Sequence, residues 1–178
     1  MFGFKKKVSK KDIAKSVDDF NKLWEADISS IWEISNKNQF LIAMDGWLCR
    51  KCNYGDEIEK LSSAERIFFI NTLLESEVNN GGFSQFFYNS SGNFANEVIS
   101  SLLAIGAAKT AEIYKEAFAH LGEDFPSDSE ERENFLDKIV TDDIEAKWNK
   151  CDGDFYEYPD PLEDLNYQFI MQHKNQFS

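Results

Sequence analysis

The sequence predicts an all-α fold: a single compact multi-helix domain of about seven to nine helices, with an αα-hairpin around Gly106. Three observations carry that reading. Proline is confined to Pro126, Pro159 and Pro161, so no proline interrupts a helix in the first 125 residues. Val occurs only five times against 16 Phe, and strands favour β-branched residues. Apolar residues recur at three- and four-residue spacing through most of the chain, in segments filled with Ala, Glu, Lys and Leu. A chain of 178 residues matches one domain and can bury roughly 70% of its unfolded surface, enough for a core without staples.

The elements follow in order. Lys5, Lys6, Lys7, Lys10 and Lys11 form a basic arm, read as a solvated helix start. Ser9 can cap the first helix, whose apolar face is Ile13, Val17, Phe20 and Trp24. Ile28, Ile31, Trp32 and Ile34 make a second face; Phe40, Leu41, Met44, Trp47 and Leu48 make a third. Asn36, Asn38, Gly46 and Gly55 are the expected breaks. Ser62 or Ser63 opens the clearest helix, with Ile67, Ile70, Leu74 and Val78 on its inner face. That helix should stop at Asn79-Asn80-Gly81-Gly82, because glycine supplies the left-handed residue past a helix end. A short helix over Phe83 to Tyr88 and a turn at Asn89-Ser90-Ser91-Gly92 come next. The hairpin pairs helices over about Phe94–Ile105 and Ala107–Leu121. Phe135, Leu136, Ile139, Val140, Ile144 and Trp148 keep helical spacing through the following stretch, and a last helix starts near Pro161.

Charge is distributed unevenly. The chain carries 19 Lys+Arg against 32 Asp+Glu, a net charge of -13. Between Glu123 and Asp164 there are 16 acids and only Arg132, Lys138, Lys147 and Lys150 to oppose them, a net of -12. Such a balance argues against direct contact with nucleic-acid phosphates and against an anionic membrane surface. The apolar periodicity running through the same segment predicts that its acids sit on a folded surface rather than on a floppy tail. Asp128, Glu130, Glu131, Glu133 and Asp137, then Asp142, Asp143 and Glu145, then Asp152, Asp154 and Glu157, are the candidate partner-binding acids.

Catalytic and metal signatures are thin. Cys49-Arg50-Lys51-Cys52 is one C-x-x-C pair, and zinc needs two further ligands; Cys151, His120 and His173 each stand alone. No G-x-S-x-G elbow or phosphate-cradling loop is present, so no cofactor and no metal are expected. The start Met1-Phe2-Gly3-Phe4 leads into lysines with no apolar stretch behind them, and no run suits a membrane span. A reducing, cytoplasmic location is expected.

The most distinctive stretch interleaves amides with aromatics: Glu77, Asn79, Asn80, Gly81, Gly82, Phe83, Gln85, Phe86, Phe87, Tyr88, Asn89 and Gly92. Amides at helix ends satisfy orphan backbone groups, so a hydrogen-bonded corner is one reading. A small-ligand or enzyme pocket at Glu77, Asn80, Gln85 and Asn89, with Glu75 or Glu77 as its carboxylate, is the other.

This stretch, with Ala64-Glu65-Arg66 before it, Leu102-Leu103-Ala104-Ile105-Gly106-Ala107 after it, and the later Cys151-Asp152-Gly153-Asp154-Phe155-Tyr156 and Tyr167 to His173, resembles the bacterial DNA-mimic protein family, C-terminal domain type. The likeness covers about residues 56–178; residues 1–55 are then a helical N-terminal extension packed on that part. The resemblance implies an all-helical fold and a non-enzymatic role: an acidic protein occupying the DNA site of a basic DNA-binding protein. It brings no catalytic residues.

Overall fold

The computed structural model describes residues 10–122 and 124–178. Ser9 and Lys5, Lys6 and Lys7 of the expected basic arm lie outside the described residues. All regular structure among the described residues is helical: nine α-helices and four short 3-10 turns. The chain divides into two compact units, with the boundary between Lys60 and Leu61.

The first unit holds α1 (Lys10–Trp24), α2 (Ile28–Ile31) and α3 (Lys37–Lys51). Asp27 caps α2, accepting from the N–H groups of Ser29 and Ser30 at 3.0 Å each. Those bonds and the two serine hydroxyls favour its charged form and hold its pKa at about 2. Asn36 caps α3, as expected of a break, but Asn38 and Gly46 lie inside that helix. Gly46 is there for packing. A Cβ on it would stand 2.5 Å from the Trp24 carbonyl oxygen, so only glycine lets α1 and α3 come this close. Gly55 does mark a break: Asn53, Tyr54 and Gly55 all have positive φ. Val17 and Phe20, expected on a buried face, are instead 51% and 47% exposed.

In the second unit, α4 (Ser63–Tyr88) runs through the middle, packed by α5 (Val98–Ile105), α7 (Ser129–Ile139), α8 (Asp142–Tyr156) and α9 (Leu162–Gln172). Ser62 and Glu65 form a capping box at its start: the Ser62 hydroxyl accepts from the Glu65 N–H, and the Glu65 carboxylate accepts from the Ser62 N–H. The hairpin is present, with α6 (Ala108–Phe118) following α5. Gly106 has φ 85°, and the N–H groups of Gly106 and Ala107 return to the carbonyls of Leu103 and Leu102, a Schellman closure. The stretch before α5 is a 3-10 run, Ser90–Glu97, rather than the start of an α-helix.

The continuous helical spacing read from Phe135 to Trp148 is interrupted. Val140 ends α7 in extended conformation, and the Thr141 hydroxyl caps α8. A separate tie fixes the segment before α9: the buried Asp160 carboxylate accepts from both the N–H and the hydroxyl of Thr110 near the start of α6. The core is aromatic, as expected. Phe83, Phe86 and Phe87 meet Tyr114, and Phe87 also meets Trp148, with ring centroids 5.2–6.0 Å apart. Contacts of this kind add stabilisation beyond the area buried.

Candidate functional site

The glycine pair divides α4 as the sequence predicts. Gly81 has φ -159° and Gly82 has φ 75°, ψ -176°, a combination open essentially to glycine alone. Two sets of side chains stitch the break. On one side the Glu77 carboxylate accepts from Gln85 Nε2 at 2.6 Å and from Asn89 Nδ2 at 3.0 Å. On the other, Asp152 of α8 accepts from the Phe83 N–H at 2.7 Å, satisfying a backbone donor that the break leaves open. A Cβ on Gly82 would lie 2.3 Å from Asp152 Oδ2. The Asn79 amide donates to the Tyr158 hydroxyl, which donates to Glu75, and the Tyr156 hydroxyl donates to the Val78 carbonyl. Phe83, Phe86 and Phe87 point into the core, while Asn80 is exposed. Three of the four residues expected to line a ligand pocket, Glu77, Gln85 and Asn89, are thus bonded to one another.

Arg132 closes the corner from α7. It is fully buried, and its guanidinium donates to the carbonyls of Phe87 (2.9 Å), Asn89 (2.8 Å), Ser127 (2.9 Å) and Pro126 (3.4 Å) and to Asn93 Oδ1 (2.7 Å). Gly92 leaves room for it, since a Cβ there would be 2.6 Å from Arg132 Nε. Burial opposes the arginine's charge, and the nearby Asp128 carboxylate offsets part of that. The sequence counts Arg132 among cations opposing the acids; the structure places it inside, donating to backbone. One signal was available: Arg132 stands four residues before Leu136, in the apolar phase of its helix.

The predicted acids divide between two flanks of α7 and α8. Asp128 caps α7, accepting from the Glu131 N–H. Glu130, Glu131, Glu133 and Asp137 are exposed along α7, and Asp142, Asp143 and Glu145 are exposed in the first turn of α8, where negative charge complements the helix dipole. The flank of α8 that faces α6 is neutralised. Lys147 pairs with Asp143 at 2.7 Å, and Lys150 pairs with both Glu116 and Asp154 at 3.2 and 3.0 Å. Glu157 is exposed just past the end of α8. On the other flank, Glu130, Glu133, Asp137, Asp142 and Glu145 make no ion pair among the described residues. Asp152 differs from the rest in being half-buried.

Tyr88, at the end of α4, feels acids of both α7 and α8. Burial raises its pKa first, and the charges of Asp137, Glu145 and Glu133 add to the effect. Nothing in the chain order announces this, because α7 and α8 are brought to the end of α4 only by packing on it. A cleft of ≈140 Å3 opens between α4 and α8, lined by Gly81, Ser84, Glu145, Trp148, Asn149 and Asp152.

The cysteines are buried or half-buried thiols. Burial pushes Cys49 well up, raises Cys52 and takes Cys151 to about 11, away from nucleophilic thiolates. Among the described residues no three His, Cys, Asp or Glu side chains gather to hold a metal ion, and no helix is long and apolar enough to cross a membrane.

Residues 59–173 match the family model described as DMP19-like protein, and the chain belongs to that family. No curated protein and no solved structure matches the chain.

Proposed function

We propose that this member of the DMP19-like family is a non-enzymatic acidic binding protein of the cytoplasm, a DNA mimic that occupies the DNA site of a basic DNA-binding protein. It needs no cofactor and binds neither nucleic acid nor membrane directly. One observation carries the reading: Glu130, Glu133 and Asp137 of α7 and Asp142 and Glu145 of α8 are exposed and make no ion pair among the described residues, and the buried Arg132 ties α7 to the end of α4.

A DNA-binding protein offers Lys and Arg arranged for phosphates. Carboxylates held on rigid helices can fill that arrangement without the ordering cost a flexible acidic tail would meet. The uncompensated field also speeds encounter with a basic surface. Glu130, Glu133 and Asp137 lie on one stripe of α7, spanning about 10 Å at 1.5 Å per residue. Asp142 and Glu145 continue the charge onto α8. Asp143 and Asp154, already paired with lysines, contribute less to the outward field.

The test is capture from a lysate of the organism that encodes the chain, with elution by duplex DNA. Supporting the reading are a captured DNA-binding protein, its release by duplex DNA at constant ionic strength, and its absence with a variant carrying Glu130→Gln, Glu131→Gln, Glu133→Gln, Asp142→Asn and Asp143→Asn. Partners that DNA leaves bound, or that the variant captures equally well, would reduce the acids to a solubility device.

A further inference from the structure

The cleft between the break in α4 and the middle of α8 has a chemistry of its own. Its six lining residues come from two rigid elements: Gly81 and Ser84 from α4, and Glu145, Trp148, Asn149 and Asp152 from α8. On α8 these positions are three, four and seven residues apart, so they share one face of the helix. The volume, ≈140 Å3, corresponds to about four or five waters at ~30 Å3 each, space for the end of one side chain rather than for a cofactor.

The polar groups that reach this space are underused. Oδ1 of Asp152 is taken by the Phe83 N–H, which leaves Oδ2 without a donor among the described residues. The Glu145 carboxylate, the Ser84 hydroxyl and the Asn149 amide also have no side-chain hydrogen-bond partner among the described residues. Lys150 and Lys147 are committed on the opposite flank, to Glu116 and Asp154 and to Asp143. The site therefore presents two carboxylates and two neutral acceptors, with no cation among its lining residues.

We infer that this cleft is a socket for one arginine side chain of the partner protein. The inference rests on the mimic reading and names the contact that would anchor it. Carboxylate, hydroxyl and amide oxygens contributed by two helices suit a planar guanidinium, whose donors point in fixed, divergent directions. A lysine ammonium, compact and more strongly hydrated, would satisfy fewer of the acceptors at once. Burial holds the Asp152 carboxyl above its ordinary titration range, so an incoming cation relieves a cost already present in the free protein. The surrounding acids steer the partner, and the socket selects where it docks.

The probe is the blocked tripeptide acetyl-Gly-Arg-Gly-amide, titrated into the full chain and followed by amide and indole N–H shifts in NMR. The expected result is saturable shifts confined to Ser84, Glu145, Trp148, Asn149 and Asp152. The lysine tripeptide should bind several-fold more weakly, and the citrulline tripeptide, isosteric but uncharged, should not bind. Asp152→Asn keeps an acceptor for the Phe83 N–H and removes the charge; it should weaken arginine binding about tenfold. Asn149→Phe, at an exposed position, should block the socket and keeps the test open if the Asp152 variant folds poorly. Glu116→Gln, on the far flank, should change nothing. Shifts spread over all the acids of α7 and α8, equal response to arginine and lysine, or full binding by the Asn149 variant would each overturn the socket. No partner protein enters this measurement, so failure of the DNA-release experiment leaves it readable, and failure here leaves the wider acidic face standing.

Discussion

The two flanks of α8 carry acids in similar density and treat them in opposite ways. Toward α6, Lys147 and Lys150 neutralise Asp143, Asp154 and Glu116 in exposed pairs. Toward α4 and α7, Glu133, Asp137 and Glu145 all raise the pKa of Tyr88 and make no ion pair among the described residues, and the nearby arginine of α7 is turned inward to backbone carbonyls. A charge count along the chain cannot separate the two arrangements. Acidity of composition and acidity of a surface are different quantities, and the second depends on where the few cations go.

Removing Arg132 should have the largest effect, because it breaks the framework of the unpaired flank. Arg132→Met leaves the buried Phe87 carbonyl without its donor and removes the ties to the Asn89 and Ser127 carbonyls, and the expected cost is about 3 kcal/mol in urea unfolding. Unchanged stability would mean that water reaches these carbonyls. Gly82→Ala attacks the same flank from α4. Its positive φ and the close approach of Asp152 predict a loss of about 3 kcal/mol by thermal unfolding. Gly46→Ala gives a control for conformation: no positive φ is recorded there, so whatever that variant loses comes from the clash with Trp24 alone.

Smaller effects come from charge. Asp152 has its pKa raised by burial, with the Phe83 N–H opposing that only in part. A raised folded-state pKa means that ionisation weakens the fold as pH rises through the folded value, and that the relative stability is recovered below the ordinary carboxylate value of about 4. Asp152→Asn should therefore melt higher than the parent chain at pH 7, with the difference shrinking as pH falls through the Asp152 titration; a constant difference would assign the gain to something other than charge. The combined change Glu133→Gln, Asp137→Asn and Glu145→Gln should lower the Tyr88 pKa, read by ultraviolet titration, while Glu116→Gln with Asp154→Asn should leave it in place. The smallest effect belongs to Lys150→Ala. Its pairs are exposed, and the melting temperature should move by no more than about a degree in moderate salt.

Much of the fold was legible because it is written locally. The helix start at Ser62 or Ser63, the break at Gly81-Gly82 and the hairpin turn at Gly106 follow from short-range sequence rules, and the structure caps the helix at Ser62, breaks it at the glycine pair and turns at Gly106. Gly46 misled for the same reason. A glycine that serves a neighbouring helix looks, in sequence, like one that ends its own. The site was half legible. Glu77, Gln85 and Asn89 could be placed on one corner from their spacing, but their bonding to one another could not be foreseen. Asp152 was read as another surface acid, and its turn toward Phe83 follows only from the packing of α8 on the break in α4. Tyr88 carried no signal beyond its place in the motif.

The buried arginine also bears on how such a protein can change. Four of the five acceptors around Arg132 are main-chain carbonyls, which every amino acid supplies. Substitution at Phe87, Asn89, Pro126 or Ser127 would not by itself remove an acceptor from the guanidinium. The acids of α7 are likewise uninvolved in holding their helix, apart from Asp128 at its cap. Frame and charge are thereby uncoupled: the pattern of carboxylates can be rewritten one position at a time, toward a different basic partner, while the helices that display it stay in place.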